Sequence, residues 1–180
     1  VSRDTRFDRV FKIAANAAPV NGIVNFLREK PCVVAGSTWQ NDEQLLIQLF
    51  SSILMNEWKL IVVPHEINQH QITDLQNKFG AVATLESKLA KESSDKSVLI
   101  IDSVGKLSSI YQFATVAYVG GGFGRGIHNI LEPAAFGCAI IFGPNYKKFN
   151  EAVVLISLKG AISIHDFASL ENAFSSEAKS

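Results

Sequence analysis

Consecutive glycines, followed closely by polar residues, form the stretch of this sequence best suited to chemistry. Residues 118–145 read YVGGGFGRGIHNILEPAAFGCAIIFGPN. We interpret them as an apolar strand, a glycine loop at Gly120, Gly121 and Gly122, a short helix carrying Glu132, and a second apolar strand. Glycine has no Cβ and tolerates positive φ, so backbone amides of such a loop could approach a ligand closely. The N-terminus of the helix behind the loop would favour an anion such as phosphate.

The polar residues of this stretch indicate a nucleotide that carries a sugar. Glu132 lies beyond the glycines, where its carboxylate could accept hydrogen bonds from a ribose diol without repelling a phosphate. His128 could donate to the phosphate, although a purely structural histidine fits the pattern equally well. Arg6 is another candidate donor, with an ordinary surface arginine as the alternative. The stretch matches neither the dinucleotide fingerprint nor the P-loop motif.

Apolar segments of strand length alternate with segments of helical spacing along the chain. The predicted strands are continuously apolar, which is typical of a parallel sheet covered on both faces. The sequence therefore predicts a Rossmann-like α/β domain. The strands are predicted at Cys32–Ala35, Lys59–Val63, Val98–Ile101, Thr115–Val119, Cys138–Phe142 and Ala161–Ile164, with a short apolar piece at Ala81–Thr84. Besides the short helix carrying Glu132, helices are predicted at Pro19–Lys30, Asp42–Asn56, Gln69–Phe79, Lys106–Phe113, Asn150–Leu158 and Phe167–Phe174.

Small or hydrogen-bonding residues follow directly after the predicted strands. The carboxyl ends of parallel strands share one edge of a sheet, and ligands bind there at the topological switch point. Loops are polar in general, which accounts for part of this pattern. The scarcity of Lys and Glu at these positions nevertheless favours a lined cleft. The residues concerned are Ser37, Thr38, His65, Glu66, Ser103, the three glycines and Asn145.

Composition excludes several classes of function. The 180 residues are 47% hydrophobic and carry 17 basic and 17 acidic residues, so the electrostatic footprint of a nucleic-acid-binding protein is missing. Cys32 and Cys138 lie in apolar runs and are expected to be reduced, as in the cytoplasm. The sequence contains no zinc motif and no Asp-x-Asp pair, so we expect phosphate binding without a metal. No apolar run approaches the roughly 18 residues needed to cross a bilayer.

Six motifs occur in an order that resembles a known family. They are GSTW (Gly36–Trp39, followed by Asp42 and Glu43), VVPH (Val62–His65), IDSVGKL (Ile101–Leu107), AYVGGGF (Ala117–Phe123), HNILEPAA (His128–Ala135) and GPNYKKF (Gly143–Phe149). The set resembles the C-terminal half of the 3-deoxy-D-manno-octulosonic acid (Kdo) transferases. These are GT-B glycosyltransferases that move Kdo from CMP-Kdo onto a lipid A precursor.

The resemblance covers nearly the whole chain and implies its organisation. Residues 1–19, which include TRFD, would be an inter-domain linker, and residues 20–180 a donor-binding domain forming half of a GT-B fold. The N-terminal acceptor domain would be absent, and with it the catalytic base and the membrane-associating segment. The full-length protein would lie at the cytoplasmic face of the bacterial inner membrane and meet its lipid A precursor through the missing domain. We expect this fragment to be soluble and to bind the donor without turning it over.

The resemblance also implies which residues contact the donor, CMP-Kdo. The implied nucleotide contacts are Pro64, His65, Ser103, Val104, Gly105, Gly120, Gly121, Gly122, Asn129 and Glu132, to which our own argument adds His128. Ser37, Thr38 and Arg6 are further candidate contacts. His65 departs from the family, which commonly has Arg at that position. Two other interpretations stay open: the donor half of a GT-B enzyme that uses a UDP- or GDP-sugar, and a non-catalytic nucleotide-binding module.

Overall fold

The computed structural model describes residues 22–52, 57–89 and 95–177, with side chains up to residue 175. The expected linker 1–19, with Arg6, lies outside the described residues. Strands and helices alternate, as the apolar pattern predicts. The strands are β1 (Cys32–Thr38), β2 (Lys59–Pro64), β3 (Ala83–Leu85), β4 (Val98–Ile100), β5 (Val116–Val119), β6 (Ala139–Phe142) and β7 (Ala161–Ser163). The α-helices are α1 (Ile23–Leu27), α2 (Gln40–Phe50), α3 (Gln69–Phe79), α4 (Leu107–Ile110), α5 (Leu131–Ala135), α6 (Asn150–Ser157) and α7 (Phe167–Glu177).

All seven strands are parallel and form one sheet in the order β3-β4-β2-β1-β5-β6-β7. From β1 the chain moves outward to β2, whereas from β5 it moves outward in the opposite direction to β6. The topological switch point therefore lies between the neighbouring strands β1 and β5, and a crevice opens there at their carboxyl ends. The short apolar piece that the sequence shows before β4 forms the edge strand β3.

Helices cover both faces of the sheet, which confirms the predicted fold class. On one face α2, α3 and α7 bury residues such as Leu46, Leu75 and Phe174 against the sheet. On the other face α1, α4, α5 and α6 contribute, among others, Phe26 and Ile110. Successive residues of a strand point to opposite faces of the sheet. Since helices cover both faces, both sets of side chains on each central strand are removed from water.

Several element boundaries differ from the sequence prediction, and two of these differences lie near the crevice. Strand β1 continues to Thr38 through an irregularity in which Ser37 has a φ of 54°. Helix α2 starts at Gln40, earlier than the predicted Asp42, because the Asp42 side chain accepts a hydrogen bond from the Trp39 N–H (2.9 Å) and so closes the first turn. The described part of this helix ends at Phe50.

Candidate functional site

A cavity of about 800 Å³ opens at the switch point between β1 and β5. We call it the ring pocket, after the aromatic side chains on its wall. Of the residues singled out in the sequence, His65, Gly121 and His128 lie on this wall. The other wall residues used below are Trp39, Asp42, Glu66, Phe123, Gly124 and Arg125. An open crevice of this size is large enough for a small organic ligand.

Three rings form a stacked cluster on the wall of the ring pocket. His65 stacks on Trp39 with ring centroids 4.5 Å apart and on His128 with centroids 4.3 Å apart. The Trp39 Nε1–H donates to His128 Nε2 over 3.1 Å. Because Nε2 accepts this bond, the proton of the neutral His128 ring is on Nδ1. Trp39 is still 41% exposed, so the cluster presents apolar surface to a ligand.

Burial and a neighbouring imidazole control the charge of His128. Removal from water lowers the pKa of His128, and repulsion by His65 lowers that pKa further, while the nearby Asp42 opposes both effects. A lowered pKa favours the neutral imidazole at neutral pH. The His128 part of the ring cluster is therefore favoured in its uncharged form.

Asp42 holds the two sides of the crevice together. Its side chain is 1% exposed and accepts three hydrogen bonds: from the Tyr118 hydroxyl (2.7 Å), the Gly121 N–H (3.0 Å) and the Trp39 N–H (2.9 Å). These donors belong to β5, to the glycine loop and to the residue before α2. Burial, together with the Asp42 charge, raises the pKa of the Tyr118 hydroxyl, which stays protonated as a donor.

The glycine loop is bound to the rest of the protein instead of lying open to a ligand. The N–H of Gly120 donates to the Gly36 carbonyl, and the N–H groups of Gly124 and Gly126 both donate to the Gly121 carbonyl. The Gly121 N–H is taken by Asp42. These amides therefore already donate within the protein, and the contact of this loop with a ligand stays a prediction.

The first and third glycines are required by close packing of the backbone. A Cβ on Gly120 would lie 2.3 Å from the Ser37 carbonyl oxygen, and one on Gly122 would lie 2.6 Å from Gly143. Gly121 has a φ of 91°, which a residue with a Cβ rarely adopts. The three glycines thus allow β1, β5 and β6 to end against one another.

Asn129 and Glu132 form a polar network beside the ring pocket. The Asn129 Nδ2–H donates to Glu132 Oε1 (3.0 Å), and the Ser108 hydroxyl donates to Glu132 Oε2 (2.8 Å). Asn129 Oδ1 accepts from the Leu131 N–H (3.0 Å). The Asn129 side chain therefore already bonds the first N–H of helix α5, which the sequence assigned to an anion. Glu132 links α5 to α4, the helix that follows the Ser103–Gly105 segment.

Ser103, Val104 and Gly105 lie after β4, away from the wall of the ring pocket. The Ser103 hydroxyl donates to Glu86 Oε2 (2.6 Å), and Lys106 forms an ion pair with the same carboxylate. Val104 is 80% exposed, and Gly105 faces open space. This segment is fixed at both ends by Glu86 while its tip is accessible.

Pro64, Thr38 and Ser37 do not line the ring pocket. Pro64 and Thr38 line a second cavity of about 310 Å³, which shares Trp39 and Glu66 with the ring pocket but is not lined by His65 or His128. The Thr38 hydroxyl donates to Glu43 Oε1 (3.1 Å), and burial raises the pKa of Glu43. Ser37 contributes its carbonyl to the packing against Gly120. The structure thus assigns Ser37 and Thr38 contacts within the protein.

A third cavity, of about 710 Å³, adjoins the ring pocket and shares Gly124 and Arg125 with it. Pro144, Asn145, Lys147 and Lys148 complete its wall, and we call it the basic cavity. Sequence reasoning missed its cations, because Arg125 and the two lysines lie in different loops. It also missed the roles of Trp39 and Asp42, although both lie in or beside the GSTW motif.

Metal and membrane sites are not evident in the part of the chain that the structure describes. Across residues 22–52, 57–89 and 95–177, no group of three or more His, Cys, Asp or Glu side chains is arranged to hold a metal ion. Within the same ranges, every helix is too short or too polar to span a bilayer.

Sequence comparison finds relatives among curated proteins, whereas no family model matches the chain. The chain is 28% identical over 186 residues to the 3-deoxy-D-manno-octulosonic acid transferase of Rickettsia bellii, covering 96% of this chain and 43% of the relative. It is 30% identical over 133 residues to the enzyme of the same name from Aquifex aeolicus, covering 72% of this chain and 36% of the relative. The chain thus spans less than half the length of these relatives.

Structure comparison finds the same fold in an excised domain. The C-terminal CMP-Kdo binding domain of WaaA from Acinetobacter baumannii superposes with a TM-score of 0.76 and 22% identity, covering 96% of this chain and 90% of that domain. The trehalose-6-phosphate synthase OtsA superposes with a TM-score of 0.63 at 12% identity, this chain matching 41% of it. The motifs, the sequence relatives and the fold agree, and the chain therefore belongs to the 3-deoxy-D-manno-octulosonic acid transferase family as its C-terminal GT-B domain.

Proposed function

We propose that this chain is the donor-binding half of a Kdo transferase and holds CMP-Kdo by its CMP part. The observation that carries the proposal is that the ring pocket lies at the switch point of the sheet and that its wall residue His128 is followed directly by Asn129, which bonds Glu132. A nucleotide bound along the carboxyl edge would meet both. The A. baumannii domain of the same fold is named for CMP-Kdo binding, which supports this choice of donor.

The ribose is proposed to bind at Glu132. Its two carboxylate oxygens are at present bonded by neutral donors, the Ser108 hydroxyl and the Asn129 amide. A ribose diol offers two hydroxyl donors and could replace or join these bonds without any change of charge. The cytosine would then lie toward the accessible tip at Val104 and Gly105, which the resemblance assigns to the nucleotide.

The phosphate is proposed to lie near His128, between the ribose and the sugar. Several amides of the glycine loop are occupied, so side chains would have to stabilise the leaving phosphate. Because His128 Nε2 accepts from Trp39, its Nδ1–H is the ring group that could donate to the phosphate. One phosphate carries less charge than the diphosphate of a UDP-sugar, so this arrangement would need no metal.

The full-length protein is proposed to transfer Kdo with inversion to a lipid A precursor in lipopolysaccharide biosynthesis. In this proposal the N-terminal half supplies the general base and presents the acceptor at the cytoplasmic face of the inner membrane. The present chain contributes donor binding and stabilises the CMP that leaves. On this account the chain alone binds CMP and does not catalyse transfer.

The proposed ribose contact is tested by calorimetric titration of CMP into Glu132→Ala and Glu132→Gln. Loss of the charge-assisted hydrogen bonds should weaken CMP binding about tenfold or more in Glu132→Ala. Glu132→Gln should lose less, since its amide oxygen still accepts. Glu171→Ala, which removes an exposed carboxylate from helix α7, is the matched control. Equal CMP affinity in Glu132→Ala and the control would exclude Glu132 from the site.

A further inference from the structure

The basic cavity concentrates positive charge in a chain whose formal net charge is zero. Arg125, Lys147 and Lys148 lie on its wall and are exposed. None of the three forms an ion pair with another residue among the described ranges. Three unpaired cations around one cavity create a local potential that attracts an anion.

Hydrogen bonds hold this cavity in a fixed relation to the ring pocket. The Asn145 side-chain amide donates to the Gly124 carbonyl (2.8 Å), and the Asn145 N–H donates to the Gly122 carbonyl (2.9 Å). The Asn145 carbonyl accepts from the Ile127 N–H (3.3 Å). The loop that carries the two lysines is therefore attached at several points to the loop that carries Arg125.

The ring pocket itself is poorly suited to a second negative charge. Its wall includes the acidic side chains Asp42 and Glu66, and the lowered pKa of His128 favours the neutral form of that ring. The amides of Gly120, Gly121, Gly124 and Gly126 already donate within the protein. An additional oxyanion on a ligand in the ring pocket must therefore be bound by side chains. Arg125 is the cation nearest at hand, because it lies on the wall of both the ring pocket and the basic cavity.

We propose that Arg125, Lys147 and Lys148 bind the carboxylate of the sugar acid in the donor. This inference rests on the proposed function, because it requires a sugar acid bound beside the ring pocket. In a nucleotide-activated ulosonic acid, the anomeric carbon carries both the phosphate and the carboxylate. Two adjacent oxyanions need two sets of donors. The His128 side of the ring pocket serves one of them, and the basic cavity, which begins at Arg125, serves the other.

The carboxylate remains on the sugar throughout transfer, whereas the phosphate leaves with CMP. Contacts to the carboxylate therefore contribute to donor binding and selectivity and take no part in bond cleavage. Such contacts would distinguish a sugar acid from a neutral hexose, which carries no negative charge for the three cations to bind. The basic cavity is thus a specificity element of the donor site.

The test is an NMR titration of the isotope-labelled 180-residue chain with free Kdo, Kdo methyl ester and inorganic phosphate. The methyl ester removes the carboxylate charge and leaves the sugar. Free Kdo should shift the amide signals of Gly124, Asn145 and Lys148, and the ester should bind about tenfold more weakly because the charge-assisted bonds are lost. Lys147→Gln/Lys148→Gln should reduce Kdo binding by a similar factor. Lys159→Gln, an exposed lysine just before β7 at the opposite edge of the sheet, should not.

Equal binding of Kdo and its ester, or unchanged Kdo binding in the double variant, would overturn the inference. Phosphate binding that is tighter than Kdo binding at the same signals would also overturn it, because the cavity would then be a general anion site. CMP titrated in parallel separates the two proposals. A CMP response at Asn129 and Glu132 without a Kdo response contradicts the inference alone, whereas no CMP response contradicts the proposed function.

Discussion

The ring pocket and the basic cavity share a wall but are built in opposite ways. In the ring pocket, Asp42 and His128 are both bonded within the protein. In the basic cavity, the charged ends of Lys147 and Lys148 are exposed and without an ion-pair partner in the described residues. The polar groups of the first region are therefore largely engaged by the fold, whereas the cations of the second are available to a ligand.

This difference predicts that the ring pocket contributes mainly to stability and the basic cavity mainly to ligand binding. Buried hydrogen bonds are costly to break, since each orphaned group loses both its partner and its hydration. Exposed cations contribute little to folding, and their interactions with a ligand are screened by salt. Substitutions in the ring pocket should therefore reduce the free energy of unfolding. Substitutions in the basic cavity should change binding and leave that free energy nearly constant.

The largest effect is expected for Asp42→Ala. The change leaves the Tyr118 hydroxyl and the N–H groups of Trp39 and Gly121 without their acceptor. It should lower the free energy of unfolding by roughly 3–5 kcal/mol, measured by urea denaturation. Asp74→Ala, which removes a surface carboxylate paired with Lys78, should cost no more than about 0.5 kcal/mol. A loss below about 1 kcal/mol for Asp42→Ala would show that the fold does not depend on this carboxylate.

Gly120→Ala is expected to have the next largest effect. Its Cβ would meet the Ser37 carbonyl oxygen at 2.3 Å, so the backbone of β1 or of the glycine loop must move. The free energy of unfolding should fall by about 1–3 kcal/mol in the same denaturation measurement. Gly124→Ala is the matched control in the same loop, because the nearest atom to its Cβ would be 3.7 Å away. Similar losses in both variants would contradict the packing role of Gly120.

Trp39→Phe should have a smaller effect, of about 0.5–1.5 kcal/mol, because it removes the hydrogen bond to His128 Nε2 and keeps an aromatic ring. The lost bond favoured the unprotonated Nε2, so the pKa of His128 should rise in the variant. The measurement is an NMR titration of the histidine ring protons, with the His165 signals as internal control. An unchanged His128 titration would mean that the indole N–H does not control the tautomer.

The same histidine gives the wild-type protein a pH dependence of known sign. The pKa of His128 is lowered in the folded protein, so His128 binds a proton more tightly in the unfolded chain than in the folded chain. The contribution of His128 to stability is therefore present above its ordinary pKa of 6.5 and is lost as the pH falls below that value. Thermal unfolding of the wild type and Trp39→Phe at pH 7 and at lower pH should show a smaller decline in the variant. A decline that is equal in both would contradict this assignment.

The smallest effect on stability is expected for Lys147→Gln/Lys148→Gln. Its free energy of unfolding should stay within about 0.5 kcal/mol of the wild type, since exposed substitutions away from packed features rarely do more. A loss as large as that of Gly120→Ala would mean that the two lysines belong to the folded framework. The contrast between the two regions would then fail.

The sequence predicts the sheet and its helices well, because continuous apolar strands and helical spacing are local properties. Its weakest point is the edge strand β3 (Ala83–Leu85), which the sequence shows only as a short apolar piece at Ala81–Thr84. The sequence also places His65 and Gly121 at one edge of the sheet and His128 beside the glycines, and all three lie on the ring pocket.

The parts of the site that the sequence does not reveal depend on which strands are neighbours. A glycine that approaches a ligand and one that packs against backbone look alike in sequence, so the packing of Gly120 against Ser37 emerges only when β1 lies beside β5. Asp42 resembles an ordinary acidic residue in the first turn of a helix until Tyr118 lies against it. Lys147 and Lys148 resemble ordinary surface charges until the pairing of β5 and β6 brings them to the cavity of Arg125.

The central claim is that this chain is a donor half selective for a cytidine monophosphate. Calorimetric titration with CMP, UMP, CDP and UDP, each with magnesium and with a chelator, tests it most directly. We expect CMP to bind most tightly and with the same affinity in both conditions. Preference for UDP, or CMP binding that requires magnesium, would contradict the account.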